Sequence, residues 1–251
     1  MDGSALQCSK HLRYCFARNI FFDFKNLNAK HSKRYRNDVI LDGDVGGRCD
    51  KNFDRSFLLR NADEKSYLQS WGSELQYFKS FDNFIVNKLN CDIILVRPTI
   101  LIKLDSPVNM YHHFCDFINI YASQHINGSF SNDINIVFWD TWSGGYNDLY
   151  FGDTWKVFTM RQPYQLISFN DKKVCFKNVI FSLLARQKFG LYYNMPLIDG
   201  CSGSGLFKSF SQHILNRLNI SQNGPLLDKI RITLLTRSTE FRRILNENEV
   251  D

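Results

Sequence analysis

The chain has 251 residues, of which 44% are hydrophobic, 22% are charged and 15% are aromatic. This composition predicts a folded core and excludes a disordered tail or a low-complexity scaffold. A length of 251 residues fits one full domain and a remainder, and the net charge of +6 favours anionic ligands without requiring nucleic acid.

The first notable feature along the chain is a basic stretch containing Lys25, Lys30, Lys33, Arg34 and Arg36. A nucleic-acid-binding surface would add a series of aromatic side chains or a recognised motif, which this stretch lacks. We interpret it as a solvated loop and expect no nucleic-acid partner. No run of 18 or more apolar residues occurs, so the sequence predicts no membrane span.

Short apolar, β-branched runs predict buried strands, and longer periodic stretches between them predict helices. The clearest helix is Gly205–Leu218, in which an apolar residue recurs every four positions. Its glycine-rich leader does not complete a dinucleotide-binding motif. The alternation predicts an α/β fold with helices around a sheet. The predicted strands are Asp92–Val96, Ile134–Phe138, Val174–Leu184 and Ile230–Thr236.

The last predicted elements are the strand at 230–236 and a helix from about Glu240. One strand and one helix cannot bury their apolar faces unaided. We therefore predict a first lobe over residues 1–229 and the beginning of a second, truncated lobe over residues 230–251.

A polar cluster is predicted at the start of a helix, where Asn109, His112 and Asp116 fall within about 60° of one another. Their predicted face lies opposite an apolar stripe that includes Met110 and Phe114. A carboxylate one turn after a histidine can orient the ring and raise its basicity, which suits activation of a hydroxyl. The alternative is a histidine packed and hydrogen-bonded for structural reasons. The spacing does not match a metal site, and we predict no metal ligands.

A second cluster follows the strand that ends at Thr236, where Arg237, Arg242 and Asn246 run through a polar turn into a helix. Helix N-termini and arginine side chains bind phosphates, so a nucleotide-sugar diphosphate would fit here. The alternative is an exposed, charged helix.

A third cluster follows the strand that ends at Phe138; it begins with Trp139 and Asp140 and continues through Trp142, Tyr146 and Asp148 to Asp153–Trp155. Indole rings beside carboxylates form platforms for sugars or peptides. The alternative is a tryptophan that covers the core.

Seven cysteines lie along the chain without the paired C-x-x-C spacing of structural zinc sites. An odd number leaves one thiol outside any set of internal disulfides, and the sequence does not determine the pairing. Asn127 and Asn219 each begin an N-glycosylation motif, which favours the secretory pathway. The first four residues show neither the basic nor the apolar part of a signal peptide.

Taken together, these motifs resemble the family 61 glycosyltransferases, in particular those that act on EGF-like domains. The similarity covers nearly the whole chain. The segments that carry it are C-S-K-H-L-R-Y-C from Cys8, L-Q-S-W from Leu68, the seventeen residues from Lys103 to Asn119, W-D-T at Trp139, D-T-W at Asp153, V-C-F-K at Val174, G-L-F at Gly205 and T-R-S-T-E-F-R-R-I-L-N from Thr236.

This resemblance implies an inverting transfer of N-acetylglucosamine from UDP-N-acetylglucosamine to Ser or Thr of folded EGF-like domains in the endoplasmic reticulum. It also implies a glycosyltransferase-B-like fold of two Rossmann-like lobes. The shared acceptor-side pattern N-x-Y-H-x-x-x-D falls on Asn109, Tyr111, His112 and Asp116. The donor-side pattern R-x-I-x-N falls on Arg242, Ile244 and Asn246, after Arg237. We infer that His112, oriented by Asp116, activates or positions the acceptor hydroxyl, and that Asp105, Asn109, Tyr111, Trp139 and Asp140 are acceptor contacts or structural supports.

The sequence departs from the family in three respects, which predict a truncated chain or an altered activity. It shows no signal peptide and no retrieval tail, and it lacks the family's glycine-rich H-G-A-G-L-T-H segment. Met160–Gln162 stand where the family has an acidic triplet, so a divalent cation would lose its carboxylates there. The donor substrate is UDP-N-acetylglucosamine, no further cofactor is predicted, and the sequence leaves the requirement for a divalent cation open. The alternative function is an inactive fragment or pseudo-enzyme that at most binds EGF-like domains.

Overall fold

The computed structural model describes residues 3–28, 30, 33–49, 53–106, 108–146, 150–187, 203–222 and 224. Its strands are β1 (Ala5–Cys8), β2 (Cys15–Asp23), β3 (Val45–Gly47), β4 (Lys79–Ser80), β5 (Ile93–Leu95), β6 (Thr99–Ile102), β7 (Asn135–Phe138), β8 (Tyr164–Gln165) and β9 (Lys173–Phe181). Its α-helices are α1 (Arg55–Arg60), α2 (Gly72–Leu75), α3 (Met110–Asn127) and α4 (Gly205–Arg217).

The described strands form one mixed sheet in the order β4-β3-β2-β9-β6-β7-β8, with β1 paired to β2 and β5 paired to β9. Strands β9, β6, β7 and β8 are adjacent in that order and run parallel to one another, whereas β2 is antiparallel to β9. Parallel strands need a long crossover, and α3 provides it between β6 and β7. The predicted α/β class is confirmed, and the mostly parallel sheet is consistent with a Rossmann-like lobe.

The sequence predicted several of these elements to within a few residues. Strands β5, β7 and β9 and helix α4 confirm the corresponding predictions. The sequence did not predict β2, whose apolar run is interrupted by Arg18 and Asn19, or the four-residue β6. These two missed strands flank β9 and lie in the middle of the sheet.

Helix α3 is fixed at both ends by local hydrogen bonds. The side chain of Asn109 accepts hydrogen bonds from the backbone N–H groups of Tyr111 and His112, which is the arrangement of an N-cap. Gly128 ends the helix with a left-handed φ of 66°, a conformation that glycine adopts at little cost. The helix is buried on all sides from Cys115 to Gln124, so the predicted polar face does not extend along it.

Two disulfides resolve part of the cysteine pairing that the sequence left open. Cys8 pairs with Cys15 across the β1–β2 hairpin, and Cys91 pairs with Cys175 of β9. Disulfides persist in oxidising compartments, so both bonds are consistent with the secretory pathway.

The two disulfides should differ in their contribution to stability. Cys91 and Cys175 are 84 residues apart, whereas Cys8 and Cys15 are only seven apart. The entropy of loop closure gives about 4–5 kcal/mol for the first and about 2–3 kcal/mol for the second. Urea denaturation of the double Cys→Ala variant of each pair measures both losses. A loss at the hairpin pair as large as that at the long-range pair would contradict this expectation.

Residues up to Asn219 form one compact unit, and Ile220–Asp251 form a second. The predicted strand at 230–236 and the helix from about Glu240 lie outside the described residues, so the predicted domain boundary at residue 230 stays a prediction. Within the described ranges, no helix has the length and apolar character needed to cross a membrane.

Candidate active site

Three polar residues meet at the edge of the sheet where parallel strands end. Asp105 follows β6, Asp140 follows β7 and Arg186 follows β9. Because these strands are parallel, their carboxyl ends share one edge, which is where open α/β sheets bind ligands.

Asp105 is the centre of this cluster and is 4% exposed. Its Oδ1 lies 2.7 Å from Nη2 of Arg186, and its Oδ2 accepts a hydrogen bond from Nε of Arg186 at 2.8 Å. The same Oδ2 lies 2.8 Å from Nδ1 of His112. The backbone N–H of Asp105 donates to Oδ2 of Asp116 at 2.9 Å. A single buried carboxylate thus contacts an arginine fork and a histidine ring.

The prediction that Asp116 orients His112 is wrong, because Asp105 makes that contact. His112 lies in the first turn of α3, where its ring faces the loop after β6. An ionised carboxylate only accepts hydrogen bonds, so Nδ1 of His112 carries the proton in this pair. In the neutral ring, the basic lone pair then belongs to Nε2. The side chain of His112 is 24% exposed, so the ring is within reach of solvent.

Asp116 is buried beneath the Asp105 backbone, not on an exposed polar face. Its Oδ1 has no hydrogen-bond partner among the described residues. Burial raises the pKa of Asp116 well above its usual value, although the Asp105 N–H opposes the rise. Asp116 therefore supports the loop that carries Asp105.

Replacing Asp116 with Asn should change the pH dependence of stability. The native state holds the Asp116 proton more tightly than the unfolded chain does, so raising the pH from the unfolded pKa through the native pKa destabilises the wild-type protein. Asn cannot ionise, so Asp116→Asn should gain stability relative to the wild type over that interval. Urea denaturation at a series of pH values above about 4 measures the difference.

Asp133→Asn is the control, because its stability relative to the wild type should change with pH in the opposite direction. Hydrogen bonds and charge from Arg161 and Arg97 lower the pKa of Asp133, so this variant should lose stability relative to the wild type as the carboxylate ionises. If the difference in unfolding free energy between Asp116→Asn and the wild type is the same at every pH, the raised pKa of native Asp116 is refuted.

The basic stretch is not simply a solvated loop, because Arg34 and Tyr35 anchor it to the cluster. Arg34 donates to Oδ2 of Asp140 at 2.8 Å and to the carbonyl oxygens of Leu104 at 2.9 Å and Asp105 at 3.2 Å. The Tyr35 hydroxyl donates to the Asp105 carbonyl at 2.6 Å, and burial raises the pKa of Tyr35. Four hydrogen bonds thus fix the ends of β6 and β7. Charge spacing could not reveal this, since the partners are about 70 residues or more away in the chain.

Trp139 is not the predicted platform, because its side chain is buried in the core at 1% exposure. It meets Trp71 and Phe22 edge to face, with ring centroids 5.9 and 5.4 Å away. The alternative interpretation, a tryptophan that covers the core, is the correct one. Trp142 is the indole of this loop that reaches the surface, and its backbone N–H is held by Asp140 at 3.0 Å.

The remaining residues of the predicted acceptor pattern lie beside His112. Asn109 caps α3, so the structure gives it a supporting contact. Tyr111 is 54% exposed, and its ring meets the His112 ring edge to face.

Met160–Gln162 lie at the opposite edge of the sheet, near the amino ends of β6 and β7. Asn135 begins β7 and lines a cavity with all three residues. The Arg161 guanidinium pairs with Asp133 at 2.7 and 2.8 Å. The position where the family has its acidic triplet is thus remote from Asp105. In the described part of the chain, no group of three or more His, Cys, Asp or Glu is placed to hold a metal ion.

Arg237, Arg242 and Asn246 lie outside the described residues, so their donor-binding role stays a prediction. Asn127 and Asn219 both have exposed side chains, as a glycan requires, and their glycosylation also stays a prediction.

Comparison with known proteins identifies relatives along nearly the whole chain. The chain is 51% identical over 249 residues to a rat protein named EGF domain-specific O-linked N-acetylglucosamine transferase, covering 99% of this chain and 46% of the relative. A chicken protein of the same name is 51% identical, and the match covers 98% of this chain and 45% of the relative. The Drosophila melanogaster protein of that name is 44% identical, and the match covers 100% of this chain and 48% of the relative. The chain spans about half the length of the curated relatives it matches. No protein-family model matches it.

Proposed function

We propose that this chain forms the acceptor-side part of a protein O-linked N-acetylglucosamine transferase that acts on EGF-like domains. The observation that carries the proposal is the identity of about half of all positions, along essentially the whole chain, with transferases of that name. The polar cluster at the carboxyl edge of the sheet supports it, since this edge is the usual ligand site of such folds.

The donor in this proposal is UDP-N-acetylglucosamine, and the acceptor is a Ser or Thr hydroxyl of a folded EGF-like domain. The complete fold is of the glycosyltransferase-B type, in which the described unit is the acceptor-side lobe. The second lobe begins near residue 230, and Arg237, Arg242 and Asn246 contact the donor. The disulfides and the extracellular nature of EGF-like domains support an endoplasmic reticulum location.

His112 is the proposed general base of an inverting displacement. Asp105 holds Nδ1–H, so Nε2 accepts the proton of the acceptor hydroxyl. The hydroxyl oxygen forms a bond to the anomeric carbon of the sugar, and the bond from that carbon to the UDP oxygen breaks. UDP leaves with the electron pair of the broken bond, and His112 becomes the imidazolium, which Asp105 stabilises.

A transfer assay with two proteins tests the proposal. One is this chain, and the other is a chimera in which the chain replaces the corresponding segment of the rat relative. Each is incubated with UDP-[³H]N-acetylglucosamine and a folded EGF repeat. Matched controls are a repeat whose acceptor hydroxyl residue is Ala and a repeat with reduced disulfides.

We expect the chimera to transfer the sugar to the folded repeat and to neither control repeat. No transfer by the chimera, with its fold verified, would overturn the proposal and favour a non-catalytic EGF-binding protein. One observation favours that alternative: Arg161 stands where the family that the chain resembles has carboxylates. Binding of the EGF repeat to the 251-residue chain, measured by calorimetry, distinguishes the alternative from a protein with no role toward EGF-like domains.

A further inference from the structure

The Asp105 carboxylate contacts both the His112 ring and the Arg186 guanidinium. Its Oδ2 contacts both Nδ1 of His112 and Nε of Arg186, each at 2.8 Å, and its Oδ1 contacts Nη2 of Arg186 at 2.7 Å. We infer that Arg186 is a positioning residue that directs the Asp105 carboxylate toward Nδ1 of His112 and opposes protonation of the ring. The importance of that ring for transfer rests on the proposed function, but its protonation state can be measured without any reaction.

The paired contacts of Arg186 orient the carboxylate. A guanidinium bound through two nitrogens to two oxygens sets the plane of the carboxylate, which a single hydrogen bond would leave free to rotate. With the plane set, Oδ2 faces the first turn of α3, where His112 lies. The Asp116 side chain and the Arg34 and Tyr35 hydrogen bonds hold the backbone of the same residue from other sides. The direction of the Asp105 carboxylate is therefore determined by its surroundings, not by its own rotamer preference.

Arg186 also counteracts the charge of Asp105. A carboxylate beside an imidazole stabilises the protonated ring, which cannot act as a base. Arginine stays positive at every physiological pH. Asp105 is buried, whereas the Arg186 side chain is 47% exposed, so water screens part of the arginine charge. Protonation of His112 would place a second cation on the oxygen that already binds Arg186. Arg186 thus opposes protonation of the ring, whereas Asp105 alone would favour it.

Among the described residues, the other charged or titratable groups near Asp105 and His112 make different contacts. Arg34 pairs with the carboxylate of Asp140 and contacts Asp105 through its carbonyl. Burial raises the pKa of Asp116 and of Tyr35, which favours their neutral forms. The rings of Tyr111 and His112 meet edge to face. Within the described ranges, Arg186 is thus the cation whose side chain binds the Asp105 carboxylate beside His112.

Nuclear magnetic resonance titration of the histidine rings in the 251-residue chain tests the inference without donor, acceptor or turnover. The chain has six histidines, and the His112 signal is assigned by its loss in His112→Gln. Arg186→Gln, which removes the charge, should move the titration midpoint of the His112 ring to higher pH than in the wild type. Arg186→Lys, which keeps the charge, should leave the midpoint close to that of the wild type.

Arg161→Gln is the matched control. Arg161 also binds one aspartate through two nitrogens and is about as exposed as Arg186, but it lies at the opposite edge of the sheet. Its variant should leave the His112 midpoint unchanged. An Arg186→Gln midpoint equal to that of Arg161→Gln would overturn the inference.

If Arg186→Gln fails to fold, the test is made in the Asp105→Asn variant, which has no buried carboxylate at this position. There, Asp105→Asn and Asp105→Asn with Arg186→Gln differ only in the arginine charge. The double variant should have the higher His112 midpoint, and equal midpoints would refute the inference. Both results are independent of the transfer assay, so a failed inference is distinguishable from a failed proposal of function.

Discussion

Replacing His112 with Ala in the active chimera should lower kcat for transfer to a folded EGF repeat by roughly 10²–10⁴-fold, the usual contribution of a general base. Donor affinity should change little, because the ring contacts Asp105 in the unit that the proposed function assigns to the acceptor. Steady-state kinetics with both substrates varied measures kcat and KM, and calorimetry with UDP measures donor affinity. Asp105→Asn should lower kcat in the same direction, since Asn can accept a hydrogen bond from Nδ1–H but carries no charge to stabilise the imidazolium.

His125→Ala is the matched control for this prediction. His125 lies in the last turn of the same helix, where it is exposed and contacts Tyr121 and Phe130. Its removal tests whether loss of any α3 histidine impairs the enzyme through the fold. Equal activity of His112→Ala and His125→Ala would dismiss the general-base role, whether both enzymes are active or both are impaired.

Replacing Lys103 with Met should destabilise the chain by about 3–5 kcal/mol, because it leaves a buried carboxylate without its cation. The side chain of Lys103 is fully buried, with Nζ 2.8 Å from Oε2 of Glu74. The same ammonium donates to the carbonyls of Tyr67 and Ser70 at 3.0 and 3.1 Å, so all three of its protons are used. Urea denaturation with the disulfides intact measures the loss.

Two further variants separate charge burial from lost packing. Lys103→Met with Glu74→Gln removes both charges and should recover most of the loss. Lys156→Met removes an exposed cation that pairs with Asp153 and should cost less than about 1 kcal/mol. A Lys103→Met variant as stable as Lys156→Met would show that the buried pair contributes nothing. Lys103 lies two residues before Asp105, so the ion pair also anchors the strand end that carries the cluster.

The strands and helices that the sequence predicted are those whose signal is local. Helix α4 has an apolar residue every four positions, and β7 is apolar from Ile136 to Phe138. Strand β9 has two apolar runs, Val174–Phe176 and Val179–Phe181, separated by Lys177 and Asn178. The central strand β2 has a pattern like that of β9, with Arg18 and Asn19 between two short apolar runs, but the sequence analysis did not predict it. Its place in the sheet depends on pairing with β9, more than 150 residues later in the chain.

In the candidate site, too, the sequence predicted local features and missed contacts between distant segments. The sequence identified His112 and Asp105 as candidates, but helical spacing alone assigned His112 to Asp116. Spacing along a helix describes neighbours on that helix and contains nothing about the loop that precedes it. Arg186 carried no motif and was not a candidate, and Arg34 was interpreted as solvated. Both reach Asp105 because β6, β7 and β9 end at one edge.

The sequence by itself determined the α/β class, which depends on local periodicity, and the similarity to the transferases, which depends on residue order. Only the tertiary structure decided which carboxylate contacts His112, that Trp139 is core and that Met160–Gln162 lie at the far edge of the sheet. These facts depend on contacts between segments distant in sequence. Parallel pairing of β6, β7 and β9 creates those contacts by placing three loops at one edge, and that pairing is a property of the folded sheet as a whole.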